Sequence, residues 1–342
     1  MSRQAVVAWW DDHQIPLYLS AIVVGAVAGL VAPQLAPTLT LAINPVLALL
    51  LFATFLGVPL IEVGRAFRDI RFLGTVLLAN FVVVPLVAFG LSRFVAYNPG
   101  LMLGVLLVLL TPCIDYVIVF TGLAGGARAR LLAAAPLLML AQMLLLPLYL
   151  LLFAGADMLM VVDIHPFIEA FVVLIVLPLT GAAVVQAISR RFRAGRVIES
   201  VMAAAMVPLM MATLAVVVGS QIAAVGSQAV ALVRVVPLYV VFVVVAVLVG
   251  KCLARATRLD VPASRAVMFS TATRNSLVVL PLALALPAEL SIAPLAVVTQ
   301  TLVELVAMVV LVRLVPHLAP DRPGGGPRVQ ERTPTEPESG RR

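Results

Sequence analysis

The chain has 342 residues, of which 63% are hydrophobic and only 11% charged. A soluble domain of that length needs far more charge to keep its surface wet, so a mean hydropathy of +1.15 indicates a membrane protein. The net charge of +7 does not indicate nucleic-acid binding, because the basic residues lie in short loops and form no aromatic-interleaved basic face.

In chain order, Met1 to Gln14 carries Arg3, Trp9, Trp10, Asp11 and Asp12 ahead of the first apolar run. This is no secretory signal, and the Trp pair has the character of an interfacial anchor. Residues 1–15 are expected to form a cytoplasmic segment. Apolar runs near span length then recur, without the alternation of barrel strands, so lipid permits only helices. The pattern predicts about ten transmembrane helices, over 16–33, 42–62, 71–96, 100–124, 129–156, 163–188, 197–219, 229–252, 262–287 and 291–316. The fold class is therefore all-α integral membrane, with a transporter domain over 16–317. Beyond it, 318–342 is rich in Pro, Gly and charge and is expected to be a disordered cytoplasmic tail.

Loop charges set the orientation. Arg65, Arg68 and Arg71 fall between spans two and three, and Arg128 and Arg130 between four and five. Arg190, Arg191, Arg193 and Arg196 separate six and seven, while Lys251, Arg255, Arg258 and Arg265 separate eight and nine. The alternate loops hold mainly Asp157, Asp163 and Glu289. The positive-inside rule places both termini in the cytoplasm of a multi-pass inner-membrane protein. Five spans on either side of the acidic loop give two inverted repeats, over 16–156 and 163–316, because an odd number of crossings reverses the second half.

The fourth span of each half is interrupted. LTPCIDYVIVF places Pro112 and Asp115 at bilayer depth, and FSTATRNSLVVLP places Thr271, Thr273, Arg274, Asn275 and Ser276 in the middle of span nine. Paired interruptions of this kind point to the substrate site of a secondary transporter. A charge at that depth is costly unless paired, so Arg274 and Asp115 either pair or engage a ligand; the plainer alternative is a fixed bridge that holds the two crossing helices in register. In span ten, Gln300 and Glu304 share a helix face. Glu304 is a candidate proton carrier or cation ligand, or else glue for the span-nine break. Asn80 and Gln142 rank lower, since single amides often serve helix packing. Cys113 follows a proline and precedes a carboxylate by two residues; a thiol there suits a soft ligand, although a buried cysteine is usually an inert small hydrophobe. Cys252, beside Lys251, carries no such setting, the two cysteines give no disulfide framework, and His13, His165 and His317 near helix ends form no metal set.

The run CIDYVIVFTGLAGGAR from Cys113 resembles the fourth-helix signature of the arsenite-efflux permeases, which belong to the bile acid/sodium symporter superfamily. The resemblance covers roughly residues 16–316. It implies ten helices with spans four and nine broken, a core of spans three to five and eight to ten, and a panel of one, two, six and seven. It also implies arsenite or antimonite export by proton exchange, with Cys113 as the metalloid-interacting thiol. The chain departs from the signature at Pro112, where the permeases carry Arg, and at Arg274, Asn275 and Ser276, where they carry Glu; Asp115 is acidic where they tend to be small and apolar. The substrate set is therefore Cys113, Arg274, Asn275 and Ser276, and the ion-coupling set Asp115, Glu304, Gln300 and Thr273. The alternative is a sodium-coupled symporter of an organic anion, in which Glu304, Gln300, Asn275 and Thr273 cage the cation. No catalytic motif and no cofactor-binding motif is present in the sequence.

Overall fold

A computed structural model describes residues 9–10, 13–57, 69–114, 116–155, 172–227 and 229–320. The acidic loop between the halves, the tail from 321, most of the N-terminal segment and Asp115 lie outside the described residues. The helices are α1 (Gln14–Val31), α2 (Ala36–Gly57), α3 (Ile70–Val95), α4 (Pro99–Leu109), α5 (Tyr116–Leu123) and α6 (Arg128–Ala154) in the first half. The second half holds α7 (Leu177–Ser189), α8 (Arg193–Ser227), α9 (Val235–Ala256), α10 (Val261–Ala272), α11 (Ser276–Leu284) and α12 (Ile292–Leu318). Among the described residues, six helices are long and apolar enough to cross a membrane and three shorter apolar ones accompany them. The pair α10–α11 completes the series. Helix α8 runs well past the expected 197–219, and α2 begins six residues before the expected 42, with Pro37 in its first turn, where a proline is tolerated.

Two of these segments are broken, and each begins in the same way. Asn98 caps α4 by accepting from Leu101 N at 3.0 Å, with Pro99 in the first turn. Asp260 caps α10 by accepting from Ala263 N at 2.8 Å, with Pro262 in the first turn. A proline at the start of a helix gives up an N–H that has no partner there in any case. The first break follows from Pro112, whose ring disfavours helical geometry at the residue before it. The second falls at Thr273–Asn275, with Thr273 extended and Asn275 capping α11 through Val278 N. Thr271, expected within the break, instead sits in the last turn of α10, its hydroxyl satisfied by Val267 O, Met268 O and Ala246 O. Its β-carbon branch is tolerated because that hydroxyl bonds back along the helix.

The helices form two groups. Helix α8 packs on α1 and α2, with α7 against α2 and α8. The other group gathers α3 to α6 and α9 to α12, with α9 on α10 and α12, and α4 on α12. The groups touch where α8 meets α12 and α2 meets α11. Contacts between the halves are reciprocal: α1 on α8 is answered by α7 on α2, α4 on α12 by α10 on α6, and α4 on α11 by α10 on α5. Small residues allow the closest approaches. A β-carbon on Gly29 would lie 2.2 Å from Gly219 O across α1 and α8, and one on Gly104 would lie 2.6 Å from Ala293 O across α4 and α12. Every residue from Gly100 to Leu109 in α4 is buried, as is most of α10, which marks these half-helices as the centre of the bundle. The exposed Leu and Val side chains of α1, α6 and α9 form the apolar outer surface that lipid requires.

Candidate functional site at the helix crossing

The two breaks meet. Pro112 and Arg274 face each other in an antiparallel bridge. Cys113 N donates to Thr273 O at 3.1 Å and Asn275 N donates to Thr111 O at 2.8 Å. The unwound segments thus satisfy one another's backbone at bilayer depth, where no water would do so. Their antiparallel direction also shows that the fourth and ninth spans run oppositely through the bundle.

Arg274 is wholly buried at the centre of this crossing (0% exposed). Its Nη2 donates to Asn80 Oδ1 at 2.7 Å and to Ser270 O and Thr271 O, each at 2.8 Å. Its Nη1 reaches Leu109 O at 3.3 Å, and the guanidinium carbon lies 5.5 Å from the centre of the Phe242 ring. Asn80 belongs to a single π-helical turn, Ala79–Val83, within α3. Its Nδ2 donates to Val76 O at 3.0 Å and Ser270 Oγ at 2.9 Å, which turns Oδ1 towards the arginine.

Glu304, 1% exposed, receives the other side of the crossing. Its Oε2 accepts from the backbone N of Arg274 at 2.8 Å and from Gln300 Nε2. The Tyr116 hydroxyl, from the first turn of α5, lies 2.5 Å from Glu304 Oε1 and 3.2 Å from Arg274 O. The peptide joining Thr273 to Arg274 therefore contacts both Cys113, through its carbonyl, and Glu304, through its N–H. Among the described residues, four buried polar atoms at or beside the crossing have no hydrogen-bond partner: Arg274 Nε, Asn275 Nδ2, Ser276 Oγ and Gln300 Oε1. Buried polar groups are seldom left so.

The described candidates from the sequence fall into one neighbourhood, while Asp115 lies outside the described residues. Cys113 is buried in the crossing strand, Thr273 and Asn275 flank Arg274, Ser276 opens α11, and Gln300 holds Glu304. Thr273 Oγ1 donates to Phe269 O at 2.6 Å, which commits it to its own helix. Gln142 lies in α6 with both amide atoms buried and without partners among the described residues. Tyr116 was not singled out, and Asn80 ranked low. The signal for Asn80 was a carboxamide in the middle of an otherwise apolar span, and for Tyr116 a polar-tipped aromatic at the first residue after the break. Among the described residues no group of His, Cys, Asp and Glu is arranged to hold a metal ion.

Residues 44–228 match the model of the sodium bile acid symporter family. The chain belongs to that family. A comparison with curated proteins returned no match. Membership agrees with the all-helical bundle and its apolar spans, and it makes the chain a multi-pass membrane protein of the secondary-transporter type.

Proposed function

We propose that this family member exports a trivalent metalloid oxyacid, arsenite or antimonite, in exchange for protons at the crossing of the two broken spans. The observation that carries the reading is the peptide joining Thr273 to Arg274, which contacts the strand bearing Cys113 on one side and the carboxylate of Glu304 on the other. A proton taken up by Glu304 turns one of its oxygens from acceptor to donor, and that weakens the hold on Arg274 N–H or on Tyr116. Either change reaches the strand that carries the thiol.

The chemistry of the unpartnered atoms favours this cargo. Asn275 Nδ2 and Arg274 Nε donate, Gln300 Oε1 accepts, and the Ser276 hydroxyl does both. A neutral acid with several hydroxyl groups presents the same mixture, whereas a carboxylate asks for donors alone. Exchange of one metalloid–hydroxyl bond for a metalloid–sulfur bond at Cys113 takes the thiol proton into the departing water. Attachment through a single sulfur leaves the cargo easy to release. In this reading Asp115 joins Glu304 in carrying protons, and Thr273 positions the break.

The transporter domain is 16–317, with repeats over 16–156 and 163–316, in the inner membrane with both termini and the tail from 318 cytoplasmic. The family description favours a second reading, sodium-coupled uptake of an organic anion, with the sodium ion caged by Glu304, Gln300, Asn275 and Thr273 and the anion held by Arg274. Arsenic content in an efflux-deficient bacterium separates the two. Wild type is expected to lower it, and Cys113→Ser, at matched membrane level, to restore it. Unchanged arsenic with wild type, together with uptake of an organic anion driven by a sodium gradient, would overturn the first reading.

A further inference from the structure

The three carbonyls that hold Arg274 have a common origin. In an unbroken helix each would accept from the N–H four residues on. For Leu109 that donor is Cys113 N, which instead bonds Thr273 O. For Ser270 it is Arg274 N, which bonds Glu304 Oε2, and for Thr271 it is Asn275 N, which bonds Thr111 O. The crossing diverts two donors and Glu304 the third, leaving three oxygens, to which Asn80 adds a carboxamide oxygen at 2.7 Å from the guanidinium. Two of the oxygens end α10 and one ends α4, so the C-terminal poles of both half-helices converge here. Each pole is equivalent to roughly half a negative charge; together they balance about one cation.

We propose that Arg274 is a resident cation, filling a four-oxygen cage that would otherwise bind a free alkali-metal ion of the sodium class. Carbonyls at half-helix ends and unwound backbone are the ligands with which secondary transporters take up such ions. Here the cation arrives on a four-bond tether and cannot leave through the membrane. Charge neutrality at the crossing is thus built into the chain. A transport cycle based on this site needs no sodium there, whatever the cargo. Phe242 presents the remaining wall, a ring face that tolerates a guanidinium and adds no competing charge.

The inference does not depend on the cargo, so its test uses binding and not transport. Purified wild type, Arg274→Ala, Arg274→Lys and Arg274→Ala/Asn80→Ala are compared by radioactive sodium binding and by unfolding temperature, in sodium chloride against choline chloride at constant ionic strength. Wild type and Arg274→Lys are expected to show no saturable sodium binding and no difference between the salts. Arg274→Ala is expected to unfold earlier in choline and to regain several degrees saturably with sodium, with bound radioactive sodium that the double variant loses. Folded Arg274→Ala that ignores sodium overturns the proposal. So does saturable sodium binding by wild type that weakens on Asn80→Ala, a result obtainable even if Arg274→Ala cannot be purified.

Discussion

Asn80 Oδ1 is the only side-chain oxygen among the described acceptors of the Arg274 guanidinium, the rest being main-chain carbonyls. Replacing it with leucine leaves a buried cationic donor without its partner, a loss of about 1–3 kcal/mol. Thermal unfolding of Asn80→Leu in detergent should show that drop, and Asn80→Asp, which keeps an oxygen there, should recover most of it. Glu304→Gln tests the opposite side of the crossing. It preserves volume and one acceptor oxygen but cannot take up a proton. The variant is expected to fold and to exchange cargo across a membrane at equilibrium, while losing accumulation driven by a pH gradient. Loss of equilibrium exchange as well would assign Glu304 to the architecture of the crossing and not to coupling.

At the level of helices, the tightest joints depend on the absence of a side chain. In Gly104→Val the first added carbon already lies 2.6 Å from Ala293 O, a main-chain atom that cannot move aside without shifting α12. The variant should express poorly or unfold many degrees early. Gly74→Ala in α3 meets nothing within 4 Å, and should be neutral or gain up to about 1 kcal/mol from better helix propensity. The same contrast explains what was legible beforehand. The spans could be read from runs of apolar residues, and the first break from Pro112, because lipid and proline act locally. The second break showed only as a polar cluster, so Thr271 was assigned to it although its hydroxyl bonds within α10. The grip on Arg274 was hidden for a different reason: three of its acceptors are main-chain carbonyls, which every residue carries, and a helix end only becomes an acceptor once its donors are diverted, here two by the crossing and one by Glu304.

For the whole molecule, loops assigned to one side by their charges do meet. Arg130, between the fourth and fifth spans, reaches Asp260 at 2.8 Å and Asp69 at 3.3 Å, and so joins three loops. Arg265 bonds Ala319 O at 3.0 Å and lies against Ala124 O and Gly125 O, gathering the ends of α5 and α12 on the same side. The Arg130 pairs are substantially solvated, so Arg130→Ala should cost less than about 1 kcal/mol. Which side this is can be tested at Cys252, exposed near the end of α9, while Cys113 is buried. A membrane-impermeant maleimide is expected to label Cys252 in inverted vesicles and not in right-side-out ones, with Cys113 silent in both. The reverse pattern would turn the assigned topology over.

The crossing rung has a consequence for how such a chain can diverge. Its two hydrogen bonds use the carbonyls of Thr111 and Thr273 and the N–H groups of Cys113 and Asn275. The N–H of residue 112 is not called upon, which is why the rung admits a proline there and would admit one at neither 113 nor 275. Every other substitution leaves the rung its atoms. Descendants can therefore rewrite the side chains that meet the cargo while inheriting the crossing unchanged, and a lineage can change what it carries without having to reinvent the carrier.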